Sequence, residues 1–397
     1  MAPSLNSSQN RRLPPEMWLS IFNWATFYPT RNAYSTTYQP FCNFQFSEAD
    51  RTFRTKRVLA LVCREWYALS KEFLYQDIRI GRSQGSLMTA LDRRGDGAGY
   101  AKLVRRVVLP YQSTTTATYN PNPLPSVEIL KLCNQLEVLV RPRLFSTASP
   151  DLPIELPRFE FEADCTPLPT LKRLDWNYNF DAERTGGINS LNVVLRNAPN
   201  LQYLFLGNFT DRTYITTAQP IQLPHLRTLS LSAISAQILY QLGYRWSLPS
   251  LTHIIIGALY IHNIESLWEN YGEQLGSVEF GRHLGFLMGD HVGPCLASCP
   301  NLEELYYYIF FTLPPTFTDV HYSITSVGLH AATNMMVEDE SIWKLLENHF
   351  SALLGGALPE LRHVHLFGDW DHILHDKRFA PSSARLRSGG YEVHVYP

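Results

Sequence analysis

The sequence predicts an α/β protein: a small helical module in front and a long arc of alternating strands and helices behind it. Three observations lead there. Residues 13–80 contain two dense apolar helical stretches, one short leucine-anchored phrase recurs through the rest of the chain, and the segments between its copies show helical periodicity. At 397 residues and 45% apolar content the chain can bury a substantial core, and a repeat array would spread that core along a single arc.

Charge and composition narrow the class. Lys and Arg total 34 against 36 Asp and Glu, with no basic stripe, so nucleic acid is a poor candidate partner. Residues 1–12 are polar, carry Arg11-Arg12 and lack an apolar stretch, which reads as a disordered tail rather than a secretory signal. No run of about eighteen apolar residues exists to span a membrane. Six cysteines without a signal read as reduced thiols, which places the protein in the cytoplasm, the nucleus or both. The sequons at Asn6 and Asn208 therefore carry no expectation.

The first helix opens at Leu13-Pro14-Pro15-Glu16, where proline suits the first helical position and glutamate the positive end of the helix dipole. Met17, Trp18, Leu19, Ile21, Phe22, Trp24 and Ala25 make it apolar on nearly every side, so more than one face must be covered. A second stretch runs from Val58 to Cys63 and on through Trp66, Tyr67 and Leu69. Phe73-Leu74-Tyr75 and a strand-like Asp77–Ile80 follow. So short a segment cannot bury two such helices on each other, and the surplus apolar surface points to a protein partner.

Leu13-Pro14-x-Glu16, Ile21-Phe22, Leu61-Val62-Cys63-Arg64-x-Trp66, Leu69 and Phe73-Leu74-Tyr75 together resemble an F-box over residues 13–80. F-box proteins are substrate receptors of SCF-type cullin–RING ubiquitin ligases. The resemblance implies docking on the ligase's small linker subunit, and through it the cullin. It assigns that contact to Leu13, Pro14, Glu16, Met17, Ile21, Phe22, Leu61, Val62, Cys63, Trp66, Leu69 and Leu74. One departure stands out. Residues 28–53 separate the two halves where the family has a short link. Tyr34, Tyr38, Phe41, Phe44 and Phe46 make this stretch aromatic, Pro29 and Pro40 make it turn-rich, and it lacks helical periodicity. We expect an ordered insertion.

From residue 81 to 397 the phrase takes over. It reads Cys133–Leu139, Leu168–Leu174, Ala198–Leu204, Leu223–Leu229, Leu248–Ile254, Cys299–Leu305 and Leu358–Val364, with a weaker copy at Leu275–Phe280. Anchoring leucines fall at 136, 171, 201, 226, 251, 275, 302 and 361, and from Leu171 to Leu302 the steps are 30, 25, 25, 24 and 27 residues. That spacing is close to the leucine-rich-repeat period of about 20–29 residues, so an α/β solenoid arc is expected. The wide step from 302 to 361 conceals an insertion or an eroded copy near Thr318–Tyr322. Helices are expected at 188–196, 234–242, 264–275, 292–297 and 342–354, the last started by Glu338, Asp339 and Glu340 and stopped by Gly355-Gly356. Residues 142–169 and 211–220 break the period and read as loops.

Candidate chemistry is sparse. Gly81-x-Ser83-x-Gly85 matches a nucleophile elbow and lies between a strand-like and a helix-like piece, but only the helical module precedes it, so the sheet such an elbow needs is missing. His363, His365, Asp369, Asp371, His372, His375 and Asp376 crowd together, yet His372 and His375 lie past a turn at Gly368, so no metal is expected. Cys133 and Cys299 share a phrase slot that Ala198 and Leu223 fill elsewhere, as a buried small apolar residue would. No cofactor motif appears.

These readings combine into a non-catalytic adaptor whose F-box holds the ligase and whose arc holds a protein substrate. The substrate face is expected at outward strand positions, in water: Arg173, Asp175, Tyr203, Phe205, His253, Ile255, Glu279, Glu304, Tyr306, His363 and His365, with Thr228, Ser230 and Ser277 between them. The alternative is a ligase-independent repeat scaffold with the helical module sealed on its own arc. An esterase built on Ser83 is a third and lesser reading.

Overall fold

The recurring phrase folds the same way in each copy. The carbonyl of its first residue accepts the backbone N–H of the anchoring leucine: Cys133 to Leu136 at 3.2 Å, Leu168 to Leu171 at 3.2 Å, Ala198 to Leu201 at 3.3 Å, Leu248 to Leu251 at 3.1 Å and Leu358 to Leu361 at 3.2 Å. Proline at the second position of most copies pre-sets such a turn, and Asn134 serves in the first. The next two amides then share one carbonyl of the preceding copy. Lys172 and Arg173 donate to Glu137, Gln202 and Tyr203 to Lys172, and Arg362 and His363 to Thr325. Each phrase thus starts a strand beside the one before it.

The computed structural model describes residues 13–26, 34–42, 46–80, 84–92, 99–109, 126–142, 165–178, 183, 187–208, 220–259, 264–336 and 339–396. The fold is mixed α/β, with many helices and a twelve-stranded parallel sheet that forms no closed barrel among these residues. Its strands are β1 (Asp77–Arg79), β2 (Arg106–Val108), β3 (Val138–Arg141), β4 (Arg173–Asn177), β5 (Tyr203–Gly207) and β6 (Thr228–Ile234). The sheet continues as β7 (His253–Leu259), β8 (Ser277–Phe280), β9 (Glu304–Tyr308), β10 (Ser326–Ala331), β11 (His363–Gly368) and β12 (Glu392–Tyr396). Their spatial order is their chain order. A separate two-stranded pair joins Ile221–Gln222 to Trp246–Ser247.

The wide step is resolved by β10. Its Ile324, fully buried, takes the leucine place, and Thr325 and Ser326 donate to Glu303 as the phrase requires. His321 takes the place of Cys299 and reaches the Cys299 carbonyl through Nε2 at 2.9 Å. A further copy lies at Ala101–Val107, where Val104 donates to Ala101 at 3.1 Å. Inward side chains of every phrase are fully buried, including Leu136, Leu171, Leu201, Leu226, Leu251, Leu275 and Leu302. Cys133, Ala198, Leu223 and Cys299 are buried in their shared slot, as expected, and burial pushes the Cys133 thiol up to about 12.

Helices close the core over that face. Those expected from the pattern appear as α6 (Leu191–Arg196), α7 (Ala236–Arg245), α8 (Glu265–Tyr271), α9 (Val292–Ser298) and α10 (Asp339–Leu353). Preceding them are α4 (Gln84–Leu91) and α5 (Ser126–Leu132), and α11 (Asp371–His375) and α12 (Ala380–Ser388) come last. The period-breaking loops lie largely outside the described residues.

The front module is α1 (Pro15–Thr26), α2 (Phe46–Val62) and α3 (Arg64–Gln76), packed on one another. Two expectations need correcting. The second apolar stretch breaks at Cys63, whose backbone is extended and whose Sγ caps α3 by accepting from the Trp66 amide. Residues 46–53, read as part of a non-helical insertion, are the first turns of α2. Phe46, Ala49 and Phe53 keep a helical spacing of three and four there, a stripe that the polar Ser47, Glu48, Asp50 and Arg51 between them make easy to pass over. The module leads directly into the sheet. Asp77 of β1 receives Arg106 Nη1 at 2.8 and 2.9 Å, and Tyr75 stacks on Tyr100 at 4.3 Å.

Candidate functional site

Two surfaces concern function, and the first lies on the front module. Trp66 sits between Trp18 (ring centroids 4.7 Å apart) and Phe22 (4.9 Å), which pins α1 to α3. Phe22 is completely buried in this pin, so its expected place in a docking surface is corrected: it holds the module together. Trp66, Leu69 and Leu74 are half-buried. Leu13, Pro14, Glu16, Met17, Ile21, Leu61, Val62 and Cys63 are exposed, and Trp24 and Leu61 show 77% and 76% of their surface. The other described residues leave this apolar face uncovered.

The second surface is the outward face of the sheet. Strand register places the expected residues in two straight rows. One runs Arg173, Tyr203, Thr228, His253, Ser277, Glu304, Ser326, His363. The other runs Asp175, Phe205, Ser230, Ile255, Glu279, Tyr306, Gly328, His365. The alternation of inward leucines and outward neighbours is therefore as the sequence predicts.

The expectation that these positions face water is corrected. Arg173, Asp175, Tyr203, Ile255, Glu279 and Tyr306 are buried, and Phe205, His253, Glu304, His363 and His365 are half-buried. What covers much of the face is the chain's own residues 34–42, between α1 and α2. Tyr34 packs on Val108, Val138 and Val140. The Ser35 carbonyl accepts from Arg173 Nη1 at 3.0 Å, and Thr36 Oγ1 donates to Gln202 Oε1 at 3.0 Å. Tyr38 donates its hydroxyl to Glu279 Oε2 at 3.0 Å and lies against His253 and Tyr306, with centroids at 5.0 and 5.9 Å. The Phe41 amide donates to the same Glu279 oxygen at 2.9 Å. The Phe41 ring enters an aromatic box of Tyr306, Tyr308, His330 and Phe367, with centroids 4.9 to 5.9 Å away.

Local chemistry explains this path. Pro40 and Phe41 form the corner of a turn closed by Cys42 N–H to the Gln39 carbonyl at 3.4 Å, with Phe41 at φ 58°, a conformation bulky residues avoid. Gly328 makes the floor possible, because a Cβ there would lie 2.1 Å from the Tyr306 ring. Burial pushes the Glu279 carboxyl up to about 7, against the Phe41 amide and Tyr38 hydroxyl that pull it down. Its Oε1 has no hydrogen-bond partner among the described residues. Four strands away, Arg173 Nε pairs with Asp175 of the same row at 3.0 Å while the guanidinium covers the Tyr203 ring at 4.3 Å.

At the far edge the two rows end in histidines. His363 Nδ1 lies 3.2 Å and His394 Nε2 3.7 Å from Glu392 Oε2, and the three ligand atoms fall within 4.8 Å of one another. This set could hold one divalent ion. It differs from the sequence cluster because β12, whose opening lacks the recurring phrase, supplies two of its three members. His372 and His375 lie apart on α11, where the His375 ring meets the Asp371 carbonyl at 2.7 Å. Ser83 lies outside the described residues, and its elbow motif ends in α4 beside the edge strand β1.

No helix among the described residues is long and apolar enough to cross a membrane. No protein-family model matches this chain, and no curated protein matches it.

Proposed function

We propose that the chain is the substrate-receiving adaptor of an SCF-type ubiquitin ligase: an F-box at residues 13–80 and a leucine-rich-repeat arc behind it. The observation that carries the reading is the exposed apolar surface of Leu13, Met17 and Ile21 at α1 and of Leu61 and Val62 at the end of α2, on a module whose α1 and α3 the Trp18–Phe22–Trp66 cluster already holds together. Such a patch on a module with its own core calls for a partner. The sequential parallel sheet, one strand per phrase, supports the repeat reading of the remainder. In this role the adaptor contributes proximity and no reacting group. The linker subunit docks on the front module and brings the cullin, while a protein substrate is held by the arc.

The sealed-scaffold alternative requires these helices to be covered by the repeats, and their exposure weighs against it. The test is capture of the purified linker subunit by the full chain. Leu13→Ala with Pro14→Ala should abolish capture while leaving the melting temperature unchanged, because both side chains are exposed. Full capture by the folded double variant would remove the F-box assignment. Trp66→Ala is the poorer probe, since it also dismantles the aromatic pin.

A further inference from the structure

The outward face of the sheet resembles a recognition surface more than a permanent interior. Arg173, Asp175, Thr228, Ser230, Ser277 and Glu279 are buried there, where a core that never meets water would be apolar. Residues 34–42 are held as a bound peptide is held. One tyrosine hydroxyl and one backbone amide converge on a single carboxylate, a carbonyl meets an arginine, and two aromatic side chains three residues apart fill separate recesses. The segment is also retained at some cost, since Phe41 is in a left-handed conformation and Glu279 loses its hydration.

We propose that the face from β7 to β11 is a binding site for an extended peptide carrying an unmodified tyrosine and a second aromatic residue three positions later, and that Tyr38 and Phe41 of the segment 34–42 fill it in cis until such a partner displaces them. This deepens the receptor reading and rests on it for the partner's identity as substrate. Glu279 is the specificity residue. Its carboxylate accepts a tyrosine hydroxyl and repels a phosphotyrosine, so the site takes the unphosphorylated form. The aromatic box of Tyr306, Tyr308, His330 and Phe367 selects the second ring.

The probe is a fluorescent synthetic peptide with the sequence of residues 34–42, carrying serine for Cys42, read by anisotropy against the full-length protein. In the wild type the tethered segment competes at an effective concentration on the order of millimolar, so added peptide binds poorly. Tyr38→Ala with Phe41→Ala should bind it at least about tenfold more tightly, because the internal competitor has lost both anchors. Tyr38→Phe keeps the ring and the fold, and should also bind more tightly than wild type. Phosphorylating the peptide's central tyrosine, or scrambling its sequence, should cost about tenfold or more. Peptide binding no better in either folded variant than in wild type, or equal binding of the scrambled peptide, overturns the proposal. Linker capture run on the same samples separates the two readings. Intact capture without peptide binding removes the groove alone, and peptide binding without capture removes the ligase role alone.

Discussion

Glu279 is a carboxylate placed where ionisation is expensive. In the folded chain burial holds its pKa near about 7, against 4.5 for an ordinary glutamate. Between those values the folded state binds more protons than the unfolded one, so this group's contribution to stability declines as pH rises from about 4.5 to about 7 and is fully lost above that. Glu279→Gln keeps an acceptor for Tyr38 and the Phe41 amide but carries no charge. It should stabilise the protein above pH 7, by up to about 3 kcal/mol, and leave it little changed near pH 5. Denaturant melts of both forms across this range test the point, and parallel pH profiles would show that Glu279 is not what titrates. His330, held down at about 4 by burial and the nearby Arg282, titrates near 6.5 only when unfolded, so it makes stability rise with pH across part of this window; both proteins share that contribution, and it cancels in their difference.

At the scale of single strands, much of the fold was legible because the phrase carries its own geometry: a proline-led turn, an inward leucine, an outward neighbour. Copies lacking most of those marks are harder to read: the one at Ala101–Val107 escapes the sequence, and the one through Ile324 shows only as an insertion or an eroded copy near Thr318–Tyr322. Val104 and Ile324 replace the leucine, no proline precedes them, and their hydrogen bonds to the neighbouring copy place them. The register of the outward rows was legible, but not their burial, because what covers Glu279 lies 238 residues earlier in the chain at Phe41. No local pattern encodes so distant a contact. This alters what strand substitutions should do. In β5, Leu204 is fully buried on the inner face and Tyr203 is buried on the outer face beneath the Arg173 guanidinium. Leu204→Ala should cost about 2–5 kcal/mol, and Tyr203→Ala, which would cost little on an open face, should now cost about 2–4 kcal/mol. Thermal melts showing Tyr203→Ala as stable as wild type would mean that the outer face is bare in solution.

Across the whole molecule, strand order follows chain order, so each strand can pair as soon as the one before it is in place. Residues 34–42 obey no such sequence. They precede every strand in the chain, yet Phe41 rests on Phe367 of β11, close to the other end. A segment synthesised before any strand therefore has its final position defined nearly last, and closing so long a loop is entropically worthwhile only once the partner strands exist. During refolding, pulse-labelled hydrogen exchange should find the amides of β4 to β8 protected before that of Phe41. Protection of Phe41 at the same time or earlier would make the segment a template for the sheet rather than a late arrival. A ribosome-bound chain still lacking β11 has no completed aromatic box for Phe41, so docking of this early segment reports that translation has passed the penultimate strand.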